Sequence, residues 1–428
     1  MAILIPPDNI ANILRKLNTE GHDAYLVGGC VRDAIMGLHV NDWDVATSAT
    51  PTEVDRIFPK TALTGERFGT VTVLMGEDAV EVTTFRAESE YKDGRHPDAV
   101  EFVSSLEEDL SRRDFTINAM AVSLAGELVD PFGGMEDVKR RIIRCVGEPD
   151  ARFNEDALRM FRAFRFSAAL GFTIGKDTLQ AIFANAGMAK YISAERIGIE
   201  LEKTLMSARP EITGDMIKAG LLNTGGRFPC IPAEHKGSVP LCSDGSLEGL
   251  ENISSLPMEP CLRWCAFCAV LIDKGMIASA REFLRGIRLD GKTINTCARA
   301  LSIDSFPDDK TGIKRLFALH GVDAVRCSAA AFDTLRTQWD GSLVFDGSTR
   351  EPSPRVPCTL ARTGEIIASG ECFSLSTLAV TGGDLISQGH PPGPNLGATL
   401  NRLLDHVINY PEDNTRETLL KLAHNILL

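Results

Sequence analysis

Asp42 and Asp44 stand two residues apart in the run NDWDVATS. On an extended segment that spacing turns both carboxylates to one side and Trp43 to the other. Two carboxylates on one face make a hard oxygen site suited to Mg2+, which there activates an attacking hydroxyl and neutralises charge developing on a transferred phosphoryl group. A solvated strand end has the same spacing. Upstream, AYLVGGCVRDAIM reads as a strand that ends in Gly28-Gly29 and enters a helix carrying Arg32. Backbone N–H groups of two glycines, a helix start and a guanidinium together form a pocket for phosphate. Glu81 in VEVTTF is the natural third carboxylate. Strand alternation sets it with Thr83 on one face and Val80 and Val82 on the other, as it would an edge-strand carboxylate in solvent.

A second group lies in RRDFTINAM, where Asp114 and Asn118 are one helical turn apart behind Arg112 and Arg113. Arginines for phosphate with Asp and Asn for sugar hydroxyls suit a nucleotide; a salt-bridged helix start reads the same. Two basic segments follow, one with Lys139, Arg140, Arg141 and Arg144, the other with Arg152, Arg159, Arg162 and Arg165. Both are expected to flank the nucleotide cleft and to hold triphosphate and an RNA backbone, although a charge run also describes a solvated helix face.

The elements that must position these residues change character along the chain. From residue 1 to about 135 short β-rich runs alternate with helical ones, which predicts an α/β domain. After the turn DPFGG at 130–134 strand signals almost stop, and the remainder reads as helical. Two Gly-, Pro- and Ser-dense stretches, 225–249 and 341–357, mark boundaries. Pro391, Pro392 and Pro394 form a turn into an amphipathic closing helix. Lys and Arg number 45 against 58 Asp and Glu, a net charge of −13, so a nucleic-acid site must be a local basic patch. No basic leader and no apolar run of about 18 residues occur, which points to a cytoplasmic protein with no membrane partner. The 11 cysteines are scattered apart from Cys261, Cys265 and Cys268 in CLRWCAFC. That segment lacks a paired CxxC and sits in an apolar helical run, so buried free thiols are expected rather than a zinc site. The eight histidines show no metal-ligand spacing, and His22-Asp23 precedes a strand as a turn.

LVGGCVRD, NDWDVATSATP, RHPDAVEF, EEDLSRRDFTINAMA, DPFGGMEDV and EDALRMFRAFRF, in this order over about residues 20 to 205, resemble the class II tRNA nucleotidyltransferase and poly(A) polymerase family, of the bacterial CCA-adding type. TGGDLISQGHPPGPNLG is similar to the tail of the Gram-positive members. The resemblance implies an α/β nucleotidyltransferase (polymerase β-like) head at 1–135 followed by an all-α neck at 136–205, body at 206–340 and tail at 341–428. It implies that Asp42 and Asp44 bind the metal, with Glu81 as a further catalytic carboxylate. Gly28, Gly29 and Arg32 then form the phosphate pocket, and Arg113, Asp114 and Asn118 handle ribose and triphosphate. Glu155, Asp156 and Arg159 select the base, Arg162 and Arg165 assist nucleotide binding, and Glu195 and Arg196 brace the neck helices.

Base choice also follows from chemistry. Asp156 and Arg159 are three apart, which on one helix faces both toward one ligand. Cytosine and adenine each offer an amino donor beside a ring acceptor and so satisfy an acceptor–donor pair. Uracil and guanine leave buried groups unpaired, at about 1–3 kcal/mol per group. The expected activity is Mg2+-dependent addition of CMP, CMP and AMP to tRNA from CTP and ATP, with the tRNA acceptor stem and elbow held by the helical domains. An enzyme adding only the terminal A, a poly(A) polymerase, and a non-catalytic RNA-binding protein on the same fold are the alternatives. The segment 86–97, RAESEYKDGRHP, resembles the flexible loop used for the A step and favours full CCA or A-only addition.

Overall fold

The computed structural model describes residues 4–76, 78–88, 100–222, 247–336 and 358–427. Most of 86–97 and nearly all of the 225–249 and 341–357 stretches lie outside the described residues. Two compact units are present: Met1–Thr204 with a segment beginning at Asp215, and Leu205–Gly214 with the chain from Gly237 onward.

The first unit opens with helix α1 (Asp8–Thr19), whose Ile10, Ile13, Leu14 and Leu17 recur at helical spacing and are all buried. A sheet follows: β1 (Ala24–Val27), β2 (Asp44–Thr47), β3 (Thr61–Gly65), β4 (Thr70–Met75) and β5 (Asp78–Thr84), with a small pair β6 (Arg86–Glu88) and β7 (Val100–Phe102), then β8 (Ala121–Ser123) and β9 (Leu128–Val129). The seven-stranded order is β3-β4-β5-β2-β1-β8-β9. Only the β2–β5 pairing is parallel, and it sets Asp44 opposite Glu81. Helices α2 (Gly29–Ile35), α3 (Pro51–Ile57) and α4 (Leu106–Ser111) interrupt the strands. The start of α3 is fixed by a capping box between Thr50 and Glu53 with Pro51 at the first helical position. Val27, Ala46, Phe85, Leu110 and Ala121 form one core cluster of this unit.

After β9, helices take over as the sequence pattern predicts: α5 (Gly134–Arg140), α6 (Pro149–Glu155), α7 (Leu158–Leu170), α8 (Lys176–Asn185) and α9 (Ala194–Leu205), joined by one short parallel pair, β10 (Ile142–Ile143) and β11 (Thr173–Ile174). The DPFGG turn is held by Asp130, whose carboxylate accepts from the N–H groups of Gly134 at 2.7 Å and Met135 at 2.9 Å. Gly134 admits no side chain, because a Cβ there would lie 2.2 Å from the Thr116 carbonyl oxygen. Helix α10 (Ile212–Lys218) crosses the division between the units.

The second unit contains α11 (Pro260–Asp273), α12 (Ala280–Gly286), α13 (Gly291–Ala300), α14 (Lys310–His320), α15 (Val322–Arg336), α16 (Cys358–Ala368), α17 (Gly382–Ser387), α18 (Pro394–Asn409) and α19 (Arg416–Leu427). Ser279, Asp290, Asp309 and Thr381 cap four of them. The proline turn leads into α18 as expected. No described helix is long and apolar enough to cross a membrane.

Arg263 of α11 is 1% exposed and has no carboxylate partner among the described residues. Its guanidinium instead donates to the carbonyls of Leu205 (2.6 Å), Ser207 (2.7 Å), Leu256 (2.9 Å) and Pro257 (3.2 Å). Those groups terminate segments that no helix ladder satisfies. Arg263→Met is expected to lower unfolding free energy by at least about 3 kcal/mol, since each buried carbonyl left unpaired costs about 1–3 kcal/mol. Urea unfolding of the two proteins at equal pH measures the difference.

Candidate active site

A cavity of about 610 Å³ opens in the first unit. Its walls come from the β1–α2 turn (Gly28, Gly29, Arg32), the β2–β5 pair (Asp44, Glu81, Thr83), the segment 112–118 (Arg112, Arg113, Asp114, Asn118), the α6–α7 junction with α7 (Asp156, Arg159, Arg162, Arg165, Phe166) and Arg196 of α9. Residues drawn from six separate stretches of sequence thus meet in one place. Glu155 and Asp42 of the expected set do not line it.

The carboxylate wall is narrow. Asp44 begins β2 and has Glu81 as its register partner. Burial raises the Asp44 carboxyl above its ordinary range; Arg113 opposes the rise, and the charges of Glu81 and Asp42 add to it. Asp42 is placed differently from the expectation. The strand starts at Asp44, so 41–43 is unpaired chain and strand alternation does not reach Asp42, which borders an adjoining cavity of about 540 Å³ together with Asp44 and Glu81. Among the described residues no three His, Cys, Asp or Glu side chains are gathered closely enough to form a ready-made metal site. A partly buried Asp44 beside the like charges of Glu81 and Asp42 nonetheless fits a divalent cation, whose charge removes the repulsion.

At the turn, Gly28 has φ of +75°, and a Cβ there would lie 3.0 Å from Arg113 Nη1 and 3.7 Å from Asp44 Oδ2. The Gly28 N–H donates to the Met120 carbonyl, so what this glycine supplies is space rather than a phosphate donor. Arg32 donates to Asn118 Oδ1 at 2.6 Å and to Asp33 at 2.8 Å.

Eight arginines line the cavity: Arg32, Arg86, Arg112, Arg113, Arg159, Arg162, Arg165 and Arg196. Asp109, fully buried, accepts from Arg112 at 2.8 Å and Arg113 at 3.1 Å. Burial disfavours its ionisation, yet the two guanidiniums outweigh that and hold its carboxyl below the usual range. Asp114 accepts from Arg162 at 2.8 Å, Asn118 at 3.1 Å and the Phe115 N–H at 2.8 Å. It too is held low against the burial penalty, chiefly by Arg162. Asp114 and Asn118 meet across a short 3-10 turn, Thr116–Asn118, rather than an α-helix.

Asp156 and Arg159 are not on one continuous helix. Asp156 is extended (φ −144°, ψ 104°), and its carboxylate accepts from the Leu158 N–H at 3.0 Å and from Arg196 at 2.7 Å. That cap starts α7 and breaks it from α6. Arg159 is steadied by Glu155 at 2.5 Å, the Arg112 carbonyl at 2.9 Å and the Arg152 carbonyl at 3.3 Å. Both residues still border the cavity; Glu155 acts behind them, also pairing with Arg152. The segment 139–144 does not border it: Arg140 pairs with Glu136, and Arg144 with Asp137.

Arg86, Thr70 and Phe166 escaped the sequence reading. Phe166 was legible at helical spacing from Arg159 and Arg162; Arg86 follows directly on the strand that carries Glu81 and Thr83. The guanidiniums of Arg32, Arg162 and Arg165 lie 5.4, 5.3 and 4.1 Å from the Phe166 ring.

The model of the Poly A polymerase head domain matches residues 24–144, that of the RNA and SrmB- binding site of polymerase A matches 171–224, and that of tRNA nucleotidyltransferase domain 2 matches 357–423. Sheet, paired carboxylates and arginine-lined cavity therefore define a nucleotidyltransferase. The CCA-adding enzyme of Limosilactobacillus fermentum is 38% identical over 423 residues, covering 97% of this chain and 96% of that protein. That of Geobacillus kaustophilus is 36% identical over 423 residues, covering 96% and 95%. The crystal structure of the Bacillus stearothermophilus CCA-adding enzyme in complex with CTP is 34% identical, covers 99% of this chain and 98% of that one, and has a TM-score of 0.75. The chain belongs to the family of CCA-adding enzymes.

Asp109 and Asp114 make the first unit acid-sensitive. Because their folded-state pKa values lie below the unfolded ones, the stability they contribute is complete above about pH 4 and lost as pH falls through the folded values. Asp109→Asn is expected to flatten the dependence of unfolding free energy on pH below about pH 4, while lowering stability at pH 7. Urea melts from pH 3 to 7 read both effects.

Proposed function

We propose that the protein completes tRNA 3′ ends by adding CMP, CMP and AMP from CTP and ATP without a nucleic-acid template. The observation that carries this reading is a cavity that gathers Asp44 and Glu81, eight arginines and the Asp156/Arg159 pair in one lining. End-to-end similarity to proteins named CCA-adding enzymes supports it.

In this reading the tRNA 3′-hydroxyl attacks the α-phosphorus and pyrophosphate leaves. Asp44, with Asp42 and Glu81 beside it, would hold Mg2+, which when bound activates the hydroxyl and screens the developing charge. Arg32, Arg113, Arg162 and Arg165 bind the triphosphate. Asn118 and Asp114 act largely through Arg32 and Arg162, which they orient. Gly28 and Gly29 keep the approach clear. Asp156 accepts from the amino group of C or A and Arg159 donates to the neighbouring ring nitrogen, with Glu155 fixing Arg159. Positioning and electrostatics supply the catalysis, with no covalent intermediate. We assign 1–135 as head, 136–205 as neck, and 206–340 and 341–428 as the body and tail that hold the tRNA acceptor stem and elbow. The eight described cysteines are all free, which suits the reducing cytoplasm where this substrate is made.

The test offers each labelled NTP with Mg2+ to tRNA transcripts ending before CCA, after C and after CC, with an unstructured RNA as control. CC, then A, then arrest is the expected result. Addition of A alone to the CC-ended transcript would instead show split function, long A tails on any RNA a poly(A) polymerase, and no incorporation a binding protein. Asp44→Ala is expected to slow incorporation about 1,000-fold, the loss of several kcal/mol of charge stabilisation, and EDTA to abolish it. Arg159→Ala is expected to relax discrimination of C and A against U and G by roughly 10- to 100-fold.

A further inference from the structure

The uncharged polar side chains that line the cavity of the first unit are those of Asn118, Thr70 and Thr83. Asn118 spends its amide on Arg32 and Asp114. The hydroxyls of Thr70 and Thr83 pair with each other, Oγ1 to Oγ1 at 3.1 Å, and with no other group among the described residues. Thr47 and Thr84 on the same sheet behave differently: both are fully buried and donate to the carbonyls of Asp23 and Ala49, each at 2.7 Å. Strand register sets the half-buried Thr70–Thr83 pair beside the carboxylates. Thr83 follows Glu81 by two residues on β5, so both face one side of the sheet, about 7 Å apart. Thr70 opens β4 as the register partner of Thr83, while Asp44 on β2 is the register partner of Glu81.

A hydroxyl carries one donor and two acceptor lone pairs. When two hydroxyls bond to each other one proton is spent and one remains, so the pair offers a single donor together with free lone pairs. An anion would take the donor, face the lone pairs and be repelled by Asp44 and Glu81. A cation would use the lone pairs alone. The group that uses both is another hydroxyl, which accepts one bond and gives one. Two sugars take part in nucleotidyl transfer. That of the incoming nucleotide lies between its triphosphate and its base. That of the acceptor must bring its 3′-hydroxyl to the carboxylates Asp44 and Glu81, and its 2′-hydroxyl sits on the neighbouring carbon, on the scale of the step from Glu81 to Thr83.

We propose that Thr70 and Thr83 read the 2′-hydroxyl of the acceptor's terminal ribose, so that an RNA end is extended in preference to a 2′-deoxy end. The inference rests on the transfer reaction under Proposed function and adds a specificity site to it. One threonine hydroxyl donates to the ribose 2′ oxygen, and the ribose 2′-hydroxyl donates back to the pair. Holding the 2′ oxygen fixes the ring and with it the direction of the attacking 3′-hydroxyl, so the site acts on the rate of transfer more than on affinity for the RNA.

The full chain is given CTP and Mg2+ with tRNA transcripts that end after the first C and differ only in the last sugar: ribose, 2′-deoxyribose or 2′-fluoro-2′-deoxyribose. The ribose end is expected to be extended roughly 10- to 100-fold faster than the deoxy end, with the loss in kcat rather than in KM for the RNA. A vicinal electron-withdrawing group also acidifies the attacking hydroxyl. Fluorine withdraws electrons but does not donate a hydrogen bond, so the fluoro end is expected to be as slow as the deoxy end. Thr83→Val and Thr70→Val are each expected to lower the ribose-to-deoxy ratio at least about fivefold, the double variant no further than either alone, and Thr83→Ser to preserve it. The preference for CTP over 2′-deoxy-CTP on the ribose-ended acceptor is expected to be the same in all of them. The ratio compares two acceptors on one preparation, so partial unfolding of a variant cancels, and the fluoro end tests the wild type without any substitution. A fluoro end as fast as ribose, or a ratio that both valine variants leave unchanged, would overturn the proposal. A change confined to CTP against 2′-deoxy-CTP would overturn it too, by moving the pair to the incoming sugar. Equal extension of ribose and deoxy ends by the wild type overturns this site alone; no extension of either overturns the transfer reading along with it.

Discussion

Crowding of eight guanidiniums around one cavity is the constraint on which the first unit depends. Arginine does not shed its charge at any ordinary pH, so repulsion cannot be relieved by deprotonation. It is relieved by anchoring. Asp33 holds Arg32, Asp109 holds Arg112 and Arg113, Glu155 holds Arg159, Asp114 holds Arg162, Glu200 holds Arg165 and Asp156 holds Arg196. In the pairs of Arg32, Arg112, Arg113, Arg159, Arg162 and Arg196 a charge-assisted bond to the carboxylate orients the guanidinium before any ligand arrives. A lysine would keep the charge and lose that orientation.

The anchors also connect the elements. Asp114 lies in the segment after α4 and Arg162 on α7; Arg165 on α7 meets Glu200 on α9; Arg196 on α9 returns to Asp156 ahead of α7. The pairs that shape the cavity are therefore the pairs that tie the helices to the sheet-bearing segment. Removing one partner leaves a buried charge uncompensated, which costs more than the intact pair contributes. Site and scaffold share their polar interactions, while the apolar packing around Phe85, Leu110 and Ala121 lies behind them.

Much of this was legible from residue types. Gly28, Arg32, Asp44, Arg113, Asp114 and Asn118 announce nucleotide chemistry by their spacing, and the shift from strand to helix patterning after residue 134 locates the end of the sheet. What spacing does not reveal is how each polar group spends its bonds. A spacing of three from Asp156 to Arg159 suggested one helix face, but the Leu158 N–H and Arg196 each take one oxygen of the Asp156 carboxylate, and the helix restarts there. A spacing of two from Asp42 to Asp44 suggested one strand face, but the strand begins only where β5 offers a register partner, at Asp44. Both misreadings have one cause, since helix breaks and strand ends are decided by partners distant in sequence. Cys265 and Cys268 were correctly read as buried because a helical apolar run determines burial by itself; Cys261 differs because it stands at the helix start.

The lining of the cavity holds two charge imbalances of opposite sign. On the sheet, the parallel β2–β5 register forces Asp44 against Glu81, and desolvation with like charge raises the Asp44 carboxyl. Over the whole lining, arginines outnumber carboxylates. A lone anion would satisfy the arginines and aggravate the carboxylates; a lone cation would do the reverse. A triphosphate accompanied by a divalent cation would supply both missing charges at once. The apo cavity is thus least favourable electrostatically where the transfer would occur, so binding of the complete substrate complex recovers energy that neither component recovers alone.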